Sequence, residues 1–264
     1  MELDVIAAEA GVRLVCLTTT GSTNEEARIR ARQGEDAPLW ITAEMQTEGR
    51  GRMNRRWVSP PGNLYASLLL REPSTPERAP ELAFVTALAV RDAIVTEAAA
   101  LAPQLAFKWP NDVLLANDKC AGILIEGEVE PPRNVVVIGI GINCASHPSE
   151  AAYPATDLHA HGANIGSAQL FRRLSATMCR RLAQWDRGRG FAAIRSDWLK
   201  TARGIGEAIT VRNGRDEKHG RFAGLDRSGR LVLELADGGI EEISAGDVFP
   251  FELSGGRHSP SRRD

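Results

Sequence analysis

The apolar positions follow two rhythms along the first 205 residues. Short apolar runs at 12–17, 39–43 and 64–70 read as strands, and the last is apolar enough to lie inside a sheet. Between the first two, 24–32 reads as a helix. Ser22, Thr23 or Asn24 can cap it, Glu25 and Glu26 suit its first turn, and Gly34 stops it. The alanine-rich stretch 80–101 carries Leu82, Val85, Leu88 and Ala89 at helical spacing. Runs at 113–115 and 123–125 flank the pair Asn117-Asp118, which predicts a β-hairpin. The run V-V-V-I-G-I-G-I at 135–142 reads as a strand buried on both faces. Leu170, Leu174, Met178 and Leu182 mark an amphipathic helix ending near Trp185, and a second helix follows over about 192–202.

After Gly204 the pattern changes to short strands at 208–211, 220–225, 231–235 and 240–243. Turns of Arg-Asn-Gly, Asp-Arg-Ser-Gly and Asp-Gly-Gly separate them. This predicts a separate small β-barrel of SH3-like size. The expected division is 1–205, 206–253 and a disordered Gly/Ser/Arg-rich tail over 254–264. About a dozen residues precede the first strand, too few for an N-terminal helix-turn-helix domain, so direct DNA binding is not expected.

Composition narrows the class. The 264 residues are 43% hydrophobic and 25% charged, as in an ordinary soluble protein large enough for a sizeable core. Net charge is −2, so no global basic field calls for nucleic acid. The four cysteines, Cys16, Cys120, Cys144 and Cys179, lie far apart with no C-x-x-C pair, which argues against a zinc site or disulfide framework. His159 and His161 have no evident third ligand and read as solvated loop residues. The acidic start M-E-L-D-V-I is unlike a signal peptide, and no apolar run reaches membrane-spanning length. The expected compartment is the cytoplasm.

Against this background the segment G-R-G-R-M-N-R-R-W at 49–57 stands out, with Arg50, Arg52, Arg55 and Arg56 in seven residues. Guanidinium forks suit phosphate and carboxylate oxygens, and glycines let backbone approach a ligand. Alone, the segment reads equally as a solvated basic loop. Around the predicted hairpin, Lys108, Asn111, Asp112 and Lys119 should lie near one another, with Pro110 biasing Trp109 towards extended geometry. Gly139 and Gly141 alternate along a strand as where a ligand approaches, without the G-x-G-x-x-G of a dinucleotide site.

Five motifs in order carry a resemblance: S-T-N (22–24), Q-x-x-G-R-G-R (46–52) followed by Trp57, K-W-P-N-D (108–112), K-x-A-G-I-L-I-E (119–126) and G-I-G-I-N (139–143). With the terminal SH3-like module, the chain resembles biotin–protein ligases, in the monofunctional form without a DNA-binding domain. The resemblance implies an α+β catalytic domain with a central mixed sheet, of the class II synthetase-like biotin/lipoate ligase type. It also implies ATP-dependent formation of biotinoyl-adenylate, then transfer to a lysine of a biotin carboxyl carrier domain.

By the same resemblance, Ser22, Thr23, Asn24, Gln46, Arg50, Gly51, Arg52 and Lys119 bind biotin. Arg52, Arg55, Trp57, Lys108, Asn111, Asp112 and Asn143 line the ATP site, with Asp112 beside Mg²⁺ and Lys119 and Arg52 catalytic. The family commonly has glycine where this chain has Asn54, a residue that tolerates left-handed backbone better than most. The alternatives are a lipoate-type ligase, a non-catalytic biotin-binding or carrier-interaction protein, and a nucleic-acid contact through the arginine loop. Either a monomer or an edge-to-edge homodimer is compatible with the sequence.

Overall fold

A computed structural model describes residues 1–130, 133–149 and 153–250; the tail expected over 254–264 lies outside the described residues. Strands β1 (Arg13–Thr20), β2 (Leu39–Gln46), β3 (Leu64–Arg71), β4 (Leu105–Lys108), β5 (Asp112–Leu115), β6 (Asp118–Glu130) and β7 (Arg133–Ile142) form one sheet. Its order is β1-β2-β3-β7-β6-β5-β4. β1 and β2 pair in parallel and all other neighbours antiparallel, so the sheet is mixed. The architecture is α+β.

β3 and β7 sit near the middle, which is why both read as continuous apolar runs. Residues 64–70 and 136–142 are all buried. On one face pack helices α3 (Glu81–Glu97), α4 (Ser167–Trp185) and α5 (Phe191–Leu199), whose apolar sides enclose the main core. There Trp198 stacks on Phe107 at 5.7 Å and meets Phe84 edge-on at 5.2 Å. The other face holds helix α2 (Thr23–Arg32) over a smaller cluster of Ala27, Ala31, Leu39, Ile41 and Val137.

Residues 204–250 build the second sheet from β8 (Ala208–Asn213), β9 (Asp216–Leu225), β10 (Leu231–Glu234), β11 (Ile240–Ile243) and β12 (Asp247–Pro250). It is antiparallel throughout, in the order β11-β10-β9-β8-β12, and fits an SH3-like module. Its turns reach the catalytic sheet: the Trp109 indole donates to Gly229 O at 3.1 Å in a buried contact.

Several expectations change in detail. A five-residue helix α1 (Val5–Glu9) precedes β1, too short to show periodicity but capped by Asp4, which accepts from Ile6 N at 3.1 Å. The helix expected over 80–101 ends at Glu97, and the next turn contains Pro103, which supplies no backbone N–H. Ser22 is the N-cap residue of α2 but its hydroxyl makes no capping bond. Strands β4 and β12, four residues each, are additions to the expected set: β4 alternates buried and half-buried positions against β5, and β12 pairs with β8. No helix among the described residues is long and apolar enough to cross a membrane.

Candidate active site

A cavity of about 490 Å³ opens at the ends of β2, β6 and β7, and every residue named above as a binding or catalytic candidate lines it. Three kinds of element deliver them. The start of α2 brings Ser22, Thr23 and Asn24; the hairpin β5–β6 and its approach bring Lys108, Asn111, Asp112 and Lys119; the segment after β2 brings the arginines. The strand β7 supplies the floor.

Gly139 and Gly141 are required by close approach. A Cβ on Gly141 would lie 2.5 Å from Cε2 and Nε1 of Trp57, and one on Gly139 would lie 2.8 Å from Asn24 Cγ and Nδ2. The alternating glycines let the Trp57 indole and the Asn24 amide lie flat on the strand. Gly122 does the same on β6, where a Cβ would come within 3.0 Å of Trp57.

At one part of the cavity the polar groups are neutral. Gln46 Oε1 accepts from Thr23 N at 2.8 Å, and Gln46 Nε2 donates to Ser59 Oγ at 3.1 Å. Thr23 and Asn24 are both buried and share contacts with the buried Ser67. Such groups suit an uncharged polar ring rather than an ion.

The remaining part is cationic. Lys119 Nζ lies 2.6 Å from Asp112 Oδ1 and over the Trp57 ring at 5.5 Å. Arg52 Nη1 donates to Asn111 Oδ1 at 3.2 Å and to Gly246 O at 3.3 Å; burial pulls its pKa down, against the pull of Asp247 and Asp112. Lys108 is also pulled down by burial and lies over the Tyr153 ring at 4.3 Å. Burial is the largest single effect on Arg55 and opposes its charge, but Asp247, paired at 2.5 Å, and the Tyr153 hydroxyl together outweigh it and raise its pKa. Cations held in a low-dielectric pocket interact strongly with an incoming anion.

Among the described residues, three of the seven buried polar side-chain atoms without a hydrogen-bond partner, Arg50 Nε, Trp57 Nε1 and Asp112 Oδ1, belong to this cavity. Asp112 Oδ1 has Lys119 close by as an ion pair but not as a directed hydrogen bond. An unpartnered buried donor costs about 1–3 kcal/mol, so Arg50 Nε and Trp57 Nε1 are points at which a ligand would supply the missing partner.

The loop itself has a defined shape. Gly51 N donates to Arg55 O at 2.7 Å, and Met53 and Asn54 both take φ of 55°. The position that departs from glycine is therefore left-handed, the region where asparagine is least penalised. Gly49 is fixed by crowding: a Cβ there would meet Trp57 O at 2.5 Å.

Tyr153, Asp247 and Glu126 join the cavity or its supports without having been assigned a role from sequence. Asp247 comes from the barrel and Tyr153 from a turn-rich connection, so neither carries a local signal. Glu126 was visible as the end of the K-x-A-G-I-L-I-E motif. His147, His159 and His161 take no part in the cavity lining. His159 pairs with Asn164 at 2.5 Å and His161 with Thr156 at 2.9 Å.

The mixed sheet, the glycine-floored cavity and the barrel together define a cofactor–protein ligase of the biotin and lipoate class. Residues 15–143 match the Biotin/lipoate A/B protein ligase family, and residues 204–249 match the Biotin protein ligase C terminal domain. A biotin–[acetyl-CoA-carboxylase] ligase of Paracoccus denitrificans is 40% identical over 240 residues, covering 88% of this chain and 98% of that protein. The biotin protein ligase of Aquifex aeolicus, solved with biotin and ATP, superposes with a TM-score of 0.76 at 25% identity, over 90% of this chain and 97% of that one. The Leishmania major enzyme with biotinyl-5-AMP gives 0.63 at 26% identity, over 88% and 99% of the two chains. The chain belongs to the biotin–protein ligase family.

Proposed function

We propose that the cavity activates biotin with ATP and passes it to a lysine of a biotin carboxyl carrier domain. The observation that carries this reading is the convergence of five separated motifs on one cavity with a neutral polar part and a cationic part. The ureido ring of biotin would lie against Ser22, Thr23, Asn24 and Gln46, and its carboxylate would extend towards Arg50, Gly51, Arg52 and Lys119. ATP would take Arg52, Arg55, Trp57, Lys108, Asn111, Asp112 and Asn143. In this reading 1–205 is the catalytic unit and 206–253 an accessory one that contributes Asp247 to the cavity wall.

In the first step a carboxylate oxygen of biotin attacks the α-phosphorus. The bond to the β-phosphate oxygen breaks and pyrophosphate leaves. Lys119 and Arg52 stabilise the charge on the phosphoryl oxygens, which is greatest in the transition state. In the second step a neutral lysine amine attacks the carboxyl carbon, the bond to AMP breaks and the amine loses a proton. Asp112 would orient that amine or assist its deprotonation. Trp57 and the loop turned at the left-handed residues Met53 and Asn54 would keep water from the mixed anhydride.

The donor set bears on Mg²⁺. Among the described residues no three His, Cys, Asp or Glu side chains cluster as a metal site. Two of the described carboxylates line the cavity: Asp247 is paired with Arg55, and Asp112, with Asn111 next to it, fits an ion carried in on the triphosphate rather than a resident one. There Mg²⁺ would offset phosphate charge, and Asp112 would hold it.

The test is ATP–pyrophosphate exchange with purified protein, run with biotin and with lipoate. Biotin-stimulated exchange and labelling of a carrier domain are expected. Stimulation by lipoate alone would overturn the biotin assignment, and biotin binding without exchange or labelling would overturn the enzymatic one.

A further inference from the structure

Four oxygens run in line at the neutral part of the cavity: Gln46 Oε1, Thr23 Oγ1, Ser67 Oγ and Asn24 Oδ1. The successive contacts are 3.0, 2.8 and 2.5 Å. Both ends are acceptors only. Gln46 is fixed by a backbone donor, Thr23 N at 2.8 Å, so its oxygen must face Thr23. Asn24 has no such backbone partner. Its orientation depends on its other end, where Nδ2 donates to Glu126 Oε2 at 2.7 Å.

An ionised carboxylate accepts and cannot donate. It therefore holds Asn24 with the NH₂ towards Glu126 and the carbonyl towards Ser67. The two hydroxyls then have two protons for three oxygen–oxygen contacts, so the chain is one donor short. If Asn24 turned over, its NH₂ would donate to Ser67, Ser67 to Thr23 and Thr23 to Gln46, and all three contacts would be satisfied from within. Glu126 prevents this. It is itself held by Arg50, whose Nη2 lies 3.2 Å from Oε1 and 3.4 Å from Oε2. Glu25, 3.4 Å from the same nitrogen, shares Arg50.

We infer that Glu126 is a positioning residue that sets the hydrogen-bond polarity of this part of the cavity. By fixing the Asn24 carbonyl towards Ser67 it leaves the oxygen chain deficient in protons, so the pocket takes a ligand group with N–H donors, such as a cyclic urea. The inference rests on the biotin reading above and adds the reason that the head pocket demands a donor. It also gives a role to the acidic end of the K-x-A-G-I-L-I-E motif and couples the head pocket to the arginine loop through Arg50.

The decisive experiment is an exchange of polarity between the two partners. In Glu126→Gln, Arg50 attracts the new amide oxygen and the NH₂ faces Asn24, which turns over and saturates the chain. Biotin affinity by calorimetry should fall about 10- to 100-fold, with the loss appearing in the KM for biotin rather than in kcat. Asn24→Asp alone sets two carboxylates against each other and should also bind weakly. The double variant Asn24→Asp/Glu126→Gln restores a donor facing an acid and an acceptor facing Ser67. It should recover to within about threefold of the parent, as reciprocal pairs do when they act through each other.

Thermal melts of all four proteins accompany the titrations, and a purely architectural Glu126 would lower the melting temperature without rescue by the double variant. Parent-like biotin affinity in Glu126→Gln, or a double variant no tighter than either single one, overturns the inference while leaving the biotin reading intact. Failure of the parent itself to bind biotin overturns both.

Discussion

Gly139→Ala tests the idea that β7 is glycine-bearing because site side chains lie directly on it. The new methyl would sit 2.8 Å from both Asn24 Cγ and Nδ2 and closer still to Oδ1, against an ordinary contact of about 3.5–4 Å. The amide must therefore shift by about 1 Å or more. It is held at both ends, by Ser67 at 2.5 Å and by Glu126 at 2.7 Å, and neither bond survives that displacement in good geometry. A neutral hydrogen bond contributes about 1 kcal/mol and a charge-assisted one about 2, so the variant should lose ~3 kcal/mol. The loss divides between stability and biotin affinity.

The measurements are a urea melt and a biotin titration on the same protein. The expected result is a lowered midpoint and biotin affinity reduced at least tenfold. Gly127→Ala on β6 serves as the comparison, because a Cβ there meets nothing within 4 Å. Its melt and titration should stay close to those of the parent. If Gly139→Ala matched Gly127→Ala in both assays, the close approach of Asn24 to the strand would have no energetic meaning and the reasoning would fail.

Three further outcomes follow from the same geometry. Lys119→Ala should lower biotin-dependent pyrophosphate exchange about 100- to 1,000-fold, the usual effect of removing a transition-state charge partner, and should leave a folded protein; exchange at the parent rate would remove Lys119 from the mechanism. Arg52→Gly removes the donor that joins the loop to Asn111 and to Gly246 O, so the adenylate should escape and label bystander lysines in a streptavidin blot. Unchanged bystander labelling would count against the loop as a lid. Tyr65, buried with its hydroxyl donating to Pro60 O at 2.7 Å, has its pKa pushed up to about 12. Its unfolded value is about 10, so its contribution is full below pH ~10 and falls as pH rises towards 12, by up to ~1.4 kcal/mol per pH unit. Urea melts at pH 9 and 11 should show a smaller alkaline loss in Tyr65→Phe than in the parent, and equal losses would refute the assignment.

How much of this was legible in the sequence depended on how local each signal was. β3 and β7 are central strands, so both faces are buried and the apolar runs announce them. The hairpin β5–β6 was legible from its two apolar runs and an asparagine between them, but its turn is Ala116-Asn117, both at positive φ, one residue earlier than the expected pair Asn117-Asp118, because Asp118 already pairs with Leu115. β12 was not, because its partner, Arg212 to Ile209, lies far back in the chain, and β4 was not, because its short run Leu105–Lys108 leads straight into Trp109-Pro110 before its partner Asp112–Leu115. The same holds in the site. Lys119 and Arg52 sit in motifs that can be read in order, whereas Ser67 faces Asn24 from the middle of an apolar strand. There it looks like a small residue tolerated in a core.

The barrel's contribution follows from charge rather than from fold. Arg52 and Lys108 are both buried enough to have their charges disfavoured, and Arg55 stands beside them. Three cations brought together without an anion would repel one another and the loop would not keep its shape. Asp112 answers this from the hairpin and Asp247 from the first residue of β12, the latter paired directly with Arg55. Gly246 adds its carbonyl to Arg52, and a side chain there would strike Val211 at 2.7 Å, so the barrel must present bare backbone at that point. An anionic triphosphate entering the same space competes with Asp247 for Arg55. On the proposed reading, the carboxylate that pairs with Arg55 is the group a triphosphate would have to displace, and that would make the end of the barrel a working part of the cavity wall.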